Sequence, residues 1–145
     1  MNQPSLFGSA AGRSAVAHID GGARGNPGPA GYGARIECDG ETVELKEALG
    51  IATNNVAEYR GLIAALAWAA AHGVSRLHVR SDSELLVKQM RGEYRVKHEG
   101  LKPLAAEARR LVAQIGDVRF EHVRREQNAD ADRLANEAMD DAGRT

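Results

Sequence analysis

The sequence predicts an α/β protein built on a five-stranded mixed sheet with helices on both faces. Three observations lead to this prediction. Asp39-Gly40 stands between two strand-like segments, a pattern typical of an antiparallel hairpin. An apolar helix-like segment then separates two strand-like segments, an order that favours parallel pairing through a right-handed crossover. Three more helix-like segments follow, with a fifth strand between the last two, which provides enough helix to cover the sheet.

Each element is predicted from its local pattern. The first three strands form an antiparallel meander, whose first turn, Gly21–Gly31, contains five glycines and two prolines. Thr53 or Asn54 can cap the first helix, which contains LIAALAWAAA and is therefore expected to be buried on most sides. We predict strands at Ala15–Asp20, Ala34–Cys38, Thr42–Leu49, Leu77–Ser81 and Val118–Arg124, and helices at Ala57–His72, Ser83–Arg91, Leu101–Ile115 and Asp130–Ala142.

The composition is that of one globular domain. The chain has 145 residues, of which 43% are hydrophobic and 27% charged, enough for a single core. We expect a flexible N-terminal tail at residues 1–14, the domain at residues 15–142 and a short C-terminal end at residues 143–145. The composition also favours a monomer.

Charge and cysteine content narrow the class of protein. The net charge of −1 argues against binding nucleic acid by bulk positive charge, so a polyanion must be held locally by a few cations and bound metal. The single cysteine, Cys38, cannot form an internal disulfide, which fits a reducing compartment. We find no signal peptide and no run approaching 18 apolar residues, so we expect a cytoplasmic protein without a membrane span.

Four acidic residues have distinctive settings. Asp20 ends the first strand and Asp82 follows the fourth, whereas Glu58 lies one turn into the first helix and Asp132 opens the last helix. If the first and fourth strands are parallel neighbours, both aspartates lie at the sheet edge where α/β proteins place their sites. Clustered carboxylates repel one another unless divalent cations bind between them. A metal site is therefore the natural explanation if the four converge.

The segments around these acids resemble the four motifs of the type 1 ribonuclease H family, in the same order. They are DGGARGNPGPAGYG, TNNVAEY, RSDSELLV and QNADADRLANEA, and the resemblance covers roughly residues 15 to 142. One motif alone would be weak support, whereas four in order are specific. Singly, each acid could instead form a turn, cap a helix or interact with a helix dipole, but those explanations leave the ordered match unexplained.

The resemblance implies a ribonuclease H-like fold and hydrolysis of the RNA strand of RNA–DNA hybrids, leaving 3′-hydroxyl and 5′-phosphate ends. It also implies two Mg²⁺ or Mn²⁺ ions, roughly 4 Å apart. Asp20 would bridge both ions, and Asp132 would bind the ion that activates water. Glu58 and Asp82 would bind the ion on the leaving-group side.

Substrate contacts are implied at the glycine-rich segment and at the start of the first helix. Asn54 and Asn55 are candidates for reading the 2′-hydroxyl, because an amide both donates and accepts hydrogen bonds. The alternative for Asn54 is helix capping. The backbone of Gly21–Gly25 can approach RNA closely because glycine has no side chain. Asn26 and Thr53 match the family's DNA-phosphate pocket.

The chain departs from many bacterial members in the loop before Asp132. Those relatives have a longer loop with a histidine thought to help product release, whereas here the loop is RREQN. His122 lies ten residues before Asp132 but fits the FEHVR strand pattern, so we interpret it as a strand residue. Arg125 is the better substitute, because a guanidinium can contact phosphate. A plain surface arginine is the alternative.

The segment Lys88–Lys102 is too short for the basic protrusion of larger relatives and carries only scattered positive charge. The chain thus resembles the compact subgroup of archaea and some bacteria. We expect weaker hybrid binding, with strong salt sensitivity of what remains.

The N-terminal segment Gln3–Phe7 (QPSLF) resembles the short peptide with which bacterial proteins dock on the replication sliding clamp. A Leu-Phe pair in a mobile segment can insert two apolar anchors into a pocket. Clamp docking through this segment is a hypothesis, since a random tail could supply five such residues.

Two other functions stand as alternatives: a non-catalytic hybrid-binding module, and a nuclease of the same fold that acts on DNA. The four acids oppose the first, because clustered negative charge does not help a protein bind phosphate. The TNN sequence before Glu58 favours the hybrid over DNA.

Overall fold

The structure is a computed structural model and describes residues 12–144. The suggested clamp-docking segment Gln3–Phe7 therefore lies outside the described residues. A short 3-10 helix, Arg125–Asn128, precedes the last helix. The strands are β1 (Arg13–Ala23), β2 (Gly28–Cys38), β3 (Glu41–Ala52), β4 (Val74–Ser81) and β5 (Asp117–His122), and the helices are α1 (Asn54–Ala71), α2 (Glu84–Met90), α3 (Lys102–Ile115) and α4 (Ala129–Gly143).

The five strands form one mixed sheet in the order β3-β2-β1-β4-β5. β1, β2 and β3 pair antiparallel, as the predicted meander requires. β4 pairs parallel with both β1 and β5. The predicted five-stranded mixed sheet is thus confirmed. The Asp39-Gly40 hairpin is confirmed too, with both residues in the left-handed region at φ 54° and 80°.

The predicted turn at Gly21–Gly31 is wrong in its extent. β1 continues to Ala23 and β2 already begins at Gly28, so that Ala23 pairs with Ala30. The true turn is confined to residues 24–27. Glycine suggested a turn, but most of these glycines lie within strands, where they allow helices to approach closely.

Helices cover both faces of the sheet, as predicted. Successive strand residues point to opposite faces. A Cβ atom at Gly21 would lie 2.4 Å from the backbone of Ala57 in α1, whereas one at Gly22 would lie 3.3 Å from Met139 in α4. α1 and α4 therefore pack against opposite sides of β1.

The main core lies between the sheet and helices α1 and α3. α1 is less buried than predicted: seven of its 18 residues are buried, whereas Arg60, Ala67 and Ala71 are exposed. Fully buried side chains here include Ile19, Ile36, Leu62, Leu66 and Val79. Burial of such a side chain stabilises the fold by about 1.5–3 kcal/mol.

The start of β1 and the end of α4 differ from their predicted positions by one or two residues. β1 begins at Arg13, before the predicted start at Ala15, and α4 extends to Gly143. Among the helices of residues 12–144, none is both long enough and apolar enough to cross a membrane.

Candidate active site

The fold brings the four predicted acids to one cleft. β1 and β4 run parallel with Ile19 opposite Ser81, so that Asp20 and Asp82 stand at the same edge of the sheet. α1 carries Glu58 and α4 carries Asp132 to this edge from opposite faces. All four side chains line a cleft of about 650 Å³.

The position of Glu58 depends on close packing of α1 against β1. Since Gly21 lacks a side chain, the backbone of α1 at Ala57 and Glu58 can lie directly against the strand. The Ser83 hydroxyl donates a hydrogen bond to Oε1 of Glu58 at 3.2 Å and accepts one from the Leu86 amide at 3.2 Å. The same hydroxyl of Ser83 therefore caps α2 and orients Glu58.

The cleft raises the pKa of two carboxyl groups strongly. Burial raises the pKa of Asp20 to about 8, with further contributions from the charge of Asp82 and a hydrogen bond with Asp132. The Gly21 amide donates to Oδ1 of Asp20 at 2.9 Å, which opposes this rise. Burial also raises the pKa of Glu58 to about 7, although the Ser83 hydroxyl opposes it.

The pKa of Asp82 is also raised, but less strongly than those of Asp20 and Glu58. Burial raises its pKa, whereas the guanidinium of Arg125, with Nε 3.9 Å from Oδ2 of Asp82, acts in the opposite direction. Repulsion from Asp132 adds to the rise. The charged neighbours of Asp82 thus act on its pKa in both directions.

The donors of the cleft suit a hard divalent cation. Within residues 12–144, no group of three or more His, Cys, Asp and Glu side chains is already arranged to hold a metal ion. The four acids nevertheless offer carboxylate oxygens, the ligands that Mg²⁺ and Mn²⁺ prefer. Mutual repulsion opposes their closer approach, and a bound cation would remove that opposition. The residues thus fit a metal centre by their chemistry.

The two asparagines at the start of α1 also line the cleft. Thr53 is the helix cap, because its hydroxyl accepts a hydrogen bond from the Val56 amide at 3.2 Å. The capping alternative for Asn54 is therefore wrong. Oδ1 of Asn54 instead accepts from the Ala23 amide at 2.7 Å, so its NH₂ group can serve the cleft. Asn55 is exposed beside it.

Two more of the predicted substrate contacts, Gly25 and Asn26, lie in the turn between β1 and β2. Oδ1 of Asn26 accepts from the backbone amide of Asn54 at 3.0 Å, which connects this turn to the start of α1. Gly25 has φ +93°, a backbone conformation that residues other than glycine rarely adopt. Asn26 and Thr53 are thus neighbours of the same helix start.

His122 and Arg125 both line the cleft. His122 is the last residue of β5, which confirms its interpretation as a strand residue. Arg125 opens the short 3-10 helix, and its side chain is 81% exposed. An exposed guanidinium at the mouth of an acidic cleft can reach a phosphate group without first leaving a strong ion pair.

Sequence reasoning missed several residues of the cleft. Arg24 donates to Asp140 at 2.8 Å and to Oδ1 of Asn136 at 3.0 Å, joining the turn after β1 to α4. Ser83 was considered only as the start of a helix. Asn128, at the start of α4, does not line this cleft but a neighbouring pocket with His18 and Arg35. Its motif, QNADAD, was available in the sequence, but nothing there indicates which partner its amide binds.

The fold and the carboxylate cleft define a ribonuclease H-like protein. A family model described as "Reverse transcriptase-like" matches residues 18–138. The chain is also similar to Ribonuclease HI of Halobacterium salinarum, with 44% identity over 128 residues that cover 87% of this chain and 64% of that protein. The solved RNase H1 of this archaeon superimposes with a TM-score of 0.83. The chain belongs to the type 1 ribonuclease H family.

Two further similarities agree with this assignment. "Bifunctional protein Rv2228c" of Mycobacterium tuberculosis is 51% identical over 133 residues, covering 90% of this chain and 36% of that protein. Its N-terminal RNase H domain has a TM-score of 0.87, and the match covers 91% of this chain and 97% of that one. LC11-RNase H1, solved with an RNA/DNA hybrid, is 44% identical with a TM-score of 0.82. The match covers 88% of this chain and 98% of that one.

The chain spans about a third of the length of the mycobacterial relatives, 36% in each case. The similarity to them therefore concerns one domain of those proteins.

Proposed function

We propose that this protein is an endoribonuclease that hydrolyses the RNA strand of RNA–DNA hybrids and leaves 3′-hydroxyl and 5′-phosphate ends. The observation that carries the proposal is the convergence of four acids in one cleft beside Asn54 and Asn55. Membership of the family supports it, as does the hybrid-bound structure of LC11-RNase H1.

We propose further that Asp20, Glu58, Asp82 and Asp132 hold two Mg²⁺ or Mn²⁺ ions. Such ions, when bound, lower the pKa of an attacking water and stabilise the charge that develops on the leaving 3′-oxygen. The raised pKa values of Asp20 and Glu58 support this role, because these buried groups gain most from a nearby positive charge.

The remaining residues would bind and orient the hybrid. The free NH₂ of Asn54 and the exposed amide of Asn55 would meet 2′-hydroxyl groups of the RNA strand. Asn26, Thr53 and the backbone of Gly21–Gly25 would hold backbone groups of the two strands. Arg125 would contact a phosphate at the mouth of the cleft, since its guanidinium is exposed there.

The test is cleavage of one labelled strand in four duplexes: RNA–DNA with the RNA labelled, RNA–DNA with the DNA labelled, RNA–RNA and DNA–DNA. Each is incubated with Mg²⁺, with Mn²⁺ and with chelator, beside the Asp20→Asn variant. We expect metal-dependent cuts only in the RNA of the hybrid, and their loss in Asp20→Asn.

The other outcomes point to the alternatives. Binding of the hybrid without cleavage under either metal would indicate a non-catalytic binding module. Cleavage of DNA would indicate that the fold carries a different nuclease activity. We also propose a monomeric, cytoplasmic protein, which gel filtration and cell fractionation would test.

A further inference from the structure

A polar stripe that follows β1 starts at the N-cap residue of α4 and continues along one face of that helix. Residues four apart on a helix lie one above another, and the stripe has one polar residue per turn. Its first member binds the carbonyl of Ile19, its second shares a hydrogen bond with Asp20, and its last two bind Arg24. The four members of this polar stripe are Asn128, Asp132, Asn136 and Asp140.

The two ends of the polar stripe differ in burial. Asn128 is 1% exposed, and its Nδ2 donates to the Ile19 carbonyl at 2.8 Å. The ion pair between Arg24 and Asp140 at the other end is half exposed, with both side chains at 48%. Solvent screens an exposed pair, so the buried end fixes the position of α4 on β1 more firmly.

The amide of Asn128 is held in one orientation by this bond. If it were flipped, its Oδ1 would face the carbonyl oxygen of Ile19, and two acceptors would oppose each other. In the observed orientation Oδ1 is buried without a hydrogen-bond partner among residues 12–144. An apolar residue of similar shape would fill this volume without leaving an unpaired oxygen, so packing alone does not explain an asparagine here.

We propose that Asn128 is a positioning residue that fixes the distance between Asp20 and Asp132. The Ile19 carbonyl belongs to the peptide unit that precedes Asp20, and Asp132 lies one helical turn after Asn128. The hydrogen bond thus joins the backbone beside one acid to the turn that carries the other. This inference rests on the proposed function, because it assigns Asn128 to the assembly of that same carboxylate site.

The test compares Asn128→Ala and Asn128→Leu with the unsubstituted protein. Leucine fills the volume of the side chain but cannot donate to Ile19. Substitution of a residue that orients a metal ligand typically lowers metal affinity or activity by about 10–100-fold. We expect kcat, and the Mn²⁺ affinity measured by calorimetry without hybrid, to fall by about this factor in both variants, with KM for the hybrid nearly unchanged. Amide hydrogen exchange in the first turn of α4 should accelerate.

Two control variants separate positioning from stability. Asp141→Asn breaks the exposed ion pair with Arg144 at the far end of α4 and should leave kcat and Mn²⁺ affinity unchanged. Leu111→Ala, in the distant core under α3, should lower the melting temperature without changing either quantity.

Three results would overturn the inference. Asn128→Ala could lower only the melting temperature, as Leu111→Ala does, which would make Asn128 merely structural. Asn128→Leu could restore kcat and Mn²⁺ affinity, which would show that packing suffices. An unsubstituted protein that neither cleaves hybrid nor binds Mn²⁺ would overturn the proposed function itself, and the positioning role with it.

Discussion

Asp20 stands where burial and neighbouring carboxylates both disfavour its charged form. Its pKa in the folded protein is about 8, whereas an aspartate in an unfolded chain has a pKa of about 3.9. Between these two values the folded state holds a proton that the unfolded state has lost. Folding stability must therefore decrease as pH rises through this window, and Glu58, with a pKa of about 7, adds to the decrease.

The melting temperature of the metal-free protein should accordingly fall as pH rises from about 5 to about 9. Asp20→Asn removes one of the two groups responsible. At the alkaline end we expect it to be more stable than the unsubstituted protein by about 1 kcal/mol or more, which raises the melting temperature by about 2–4 °C. Thermal unfolding in chelator across this pH range measures the effect. Parallel curves for the two proteins would contradict it.

Arg125 and His122 lead to opposite expectations, although both line the cleft. The pair between Arg125 and Asp82 spans 3.9 Å and is exposed on the arginine side, so its loss should alter stability by less than about 1 kcal/mol. We expect Arg125→Ala to lower kcat about tenfold, equivalent to about 1.4 kcal/mol, and Arg125→Lys to restore part of it. His122→Ala should change kcat much less. A larger loss for His122→Ala would reverse the assignment.

At the scale of elements, contact between β1 and α1 decides how Asp20 and Glu58 meet. A Cβ atom at Gly21 would lie 2.4 Å from the Ala57 carbonyl, and backbone cannot move aside as a flexible side chain does. Gly21→Ala should therefore force α1 away from the strand and destabilise the protein by about 1–3 kcal/mol. It should also lower kcat, because Glu58 moves with the helix.

Gly143→Ala is the matched control for this substitution. Gly143 lies at the end of α4, and a Cβ there has no heavy atom within 4 Å. Alanine is favoured over glycine in helices by up to about 1 kcal/mol, so this variant should be equally or slightly more stable, with unchanged kcat. Urea unfolding and hybrid cleavage of both variants compare the two sites. Equal effects would show that the packing at Gly21 has no special role.

The elements were predictable where local pattern and burial agree. The Asp39-Gly40 hairpin and the apolar α1 are examples, since turn chemistry and hydrophobicity each specify one structure there. The extent of β1 and β2 was not predictable. The glycines at 21, 22, 31 and 33 look like turn residues in the sequence, but they are required by helices that come later in the chain. Such long-range packing leaves no local signal.

For the molecule as a whole, the four acids could be predicted because the segments around them match four family motifs in order, although Asp20 lies within β1 rather than at its end. Their supporting partners could not. Ser83 and Asn128 act through single hydrogen bonds to residues 25 and 109 positions away, and neither spacing follows from a helical or strand repeat. The sequence therefore predicts which groups perform the chemistry more readily than which groups hold them.

The charge distribution of the whole molecule leads to a prediction about salt. The net charge is −1, yet Arg95, Lys102 and Arg109 surround a groove beside Tyr94, whose side chain is half exposed. An exposed aromatic ring among cations is typical of a surface that binds nucleic-acid strands. If this surface supplies the phosphate contacts, affinity for the hybrid should fall steeply with salt, with a slope of roughly −0.9 in log units for each phosphate neutralised.

The paired substitution Arg95→Gln with Lys102→Gln should then weaken hybrid binding and reduce the steepness of this slope by roughly one per lost phosphate contact. Arg76→Gln with Arg119→Gln, on β4 and β5, changes the net charge equally at another surface and should leave the slope unchanged. All three slopes are measured in proteins that also carry Asp20→Asn, so that the hybrid is not cleaved. The binding of a labelled hybrid to each protein is measured between about 50 and 200 mM salt. Equal reductions in the two pairs would mean that total charge, rather than the groove beside Tyr94, controls binding.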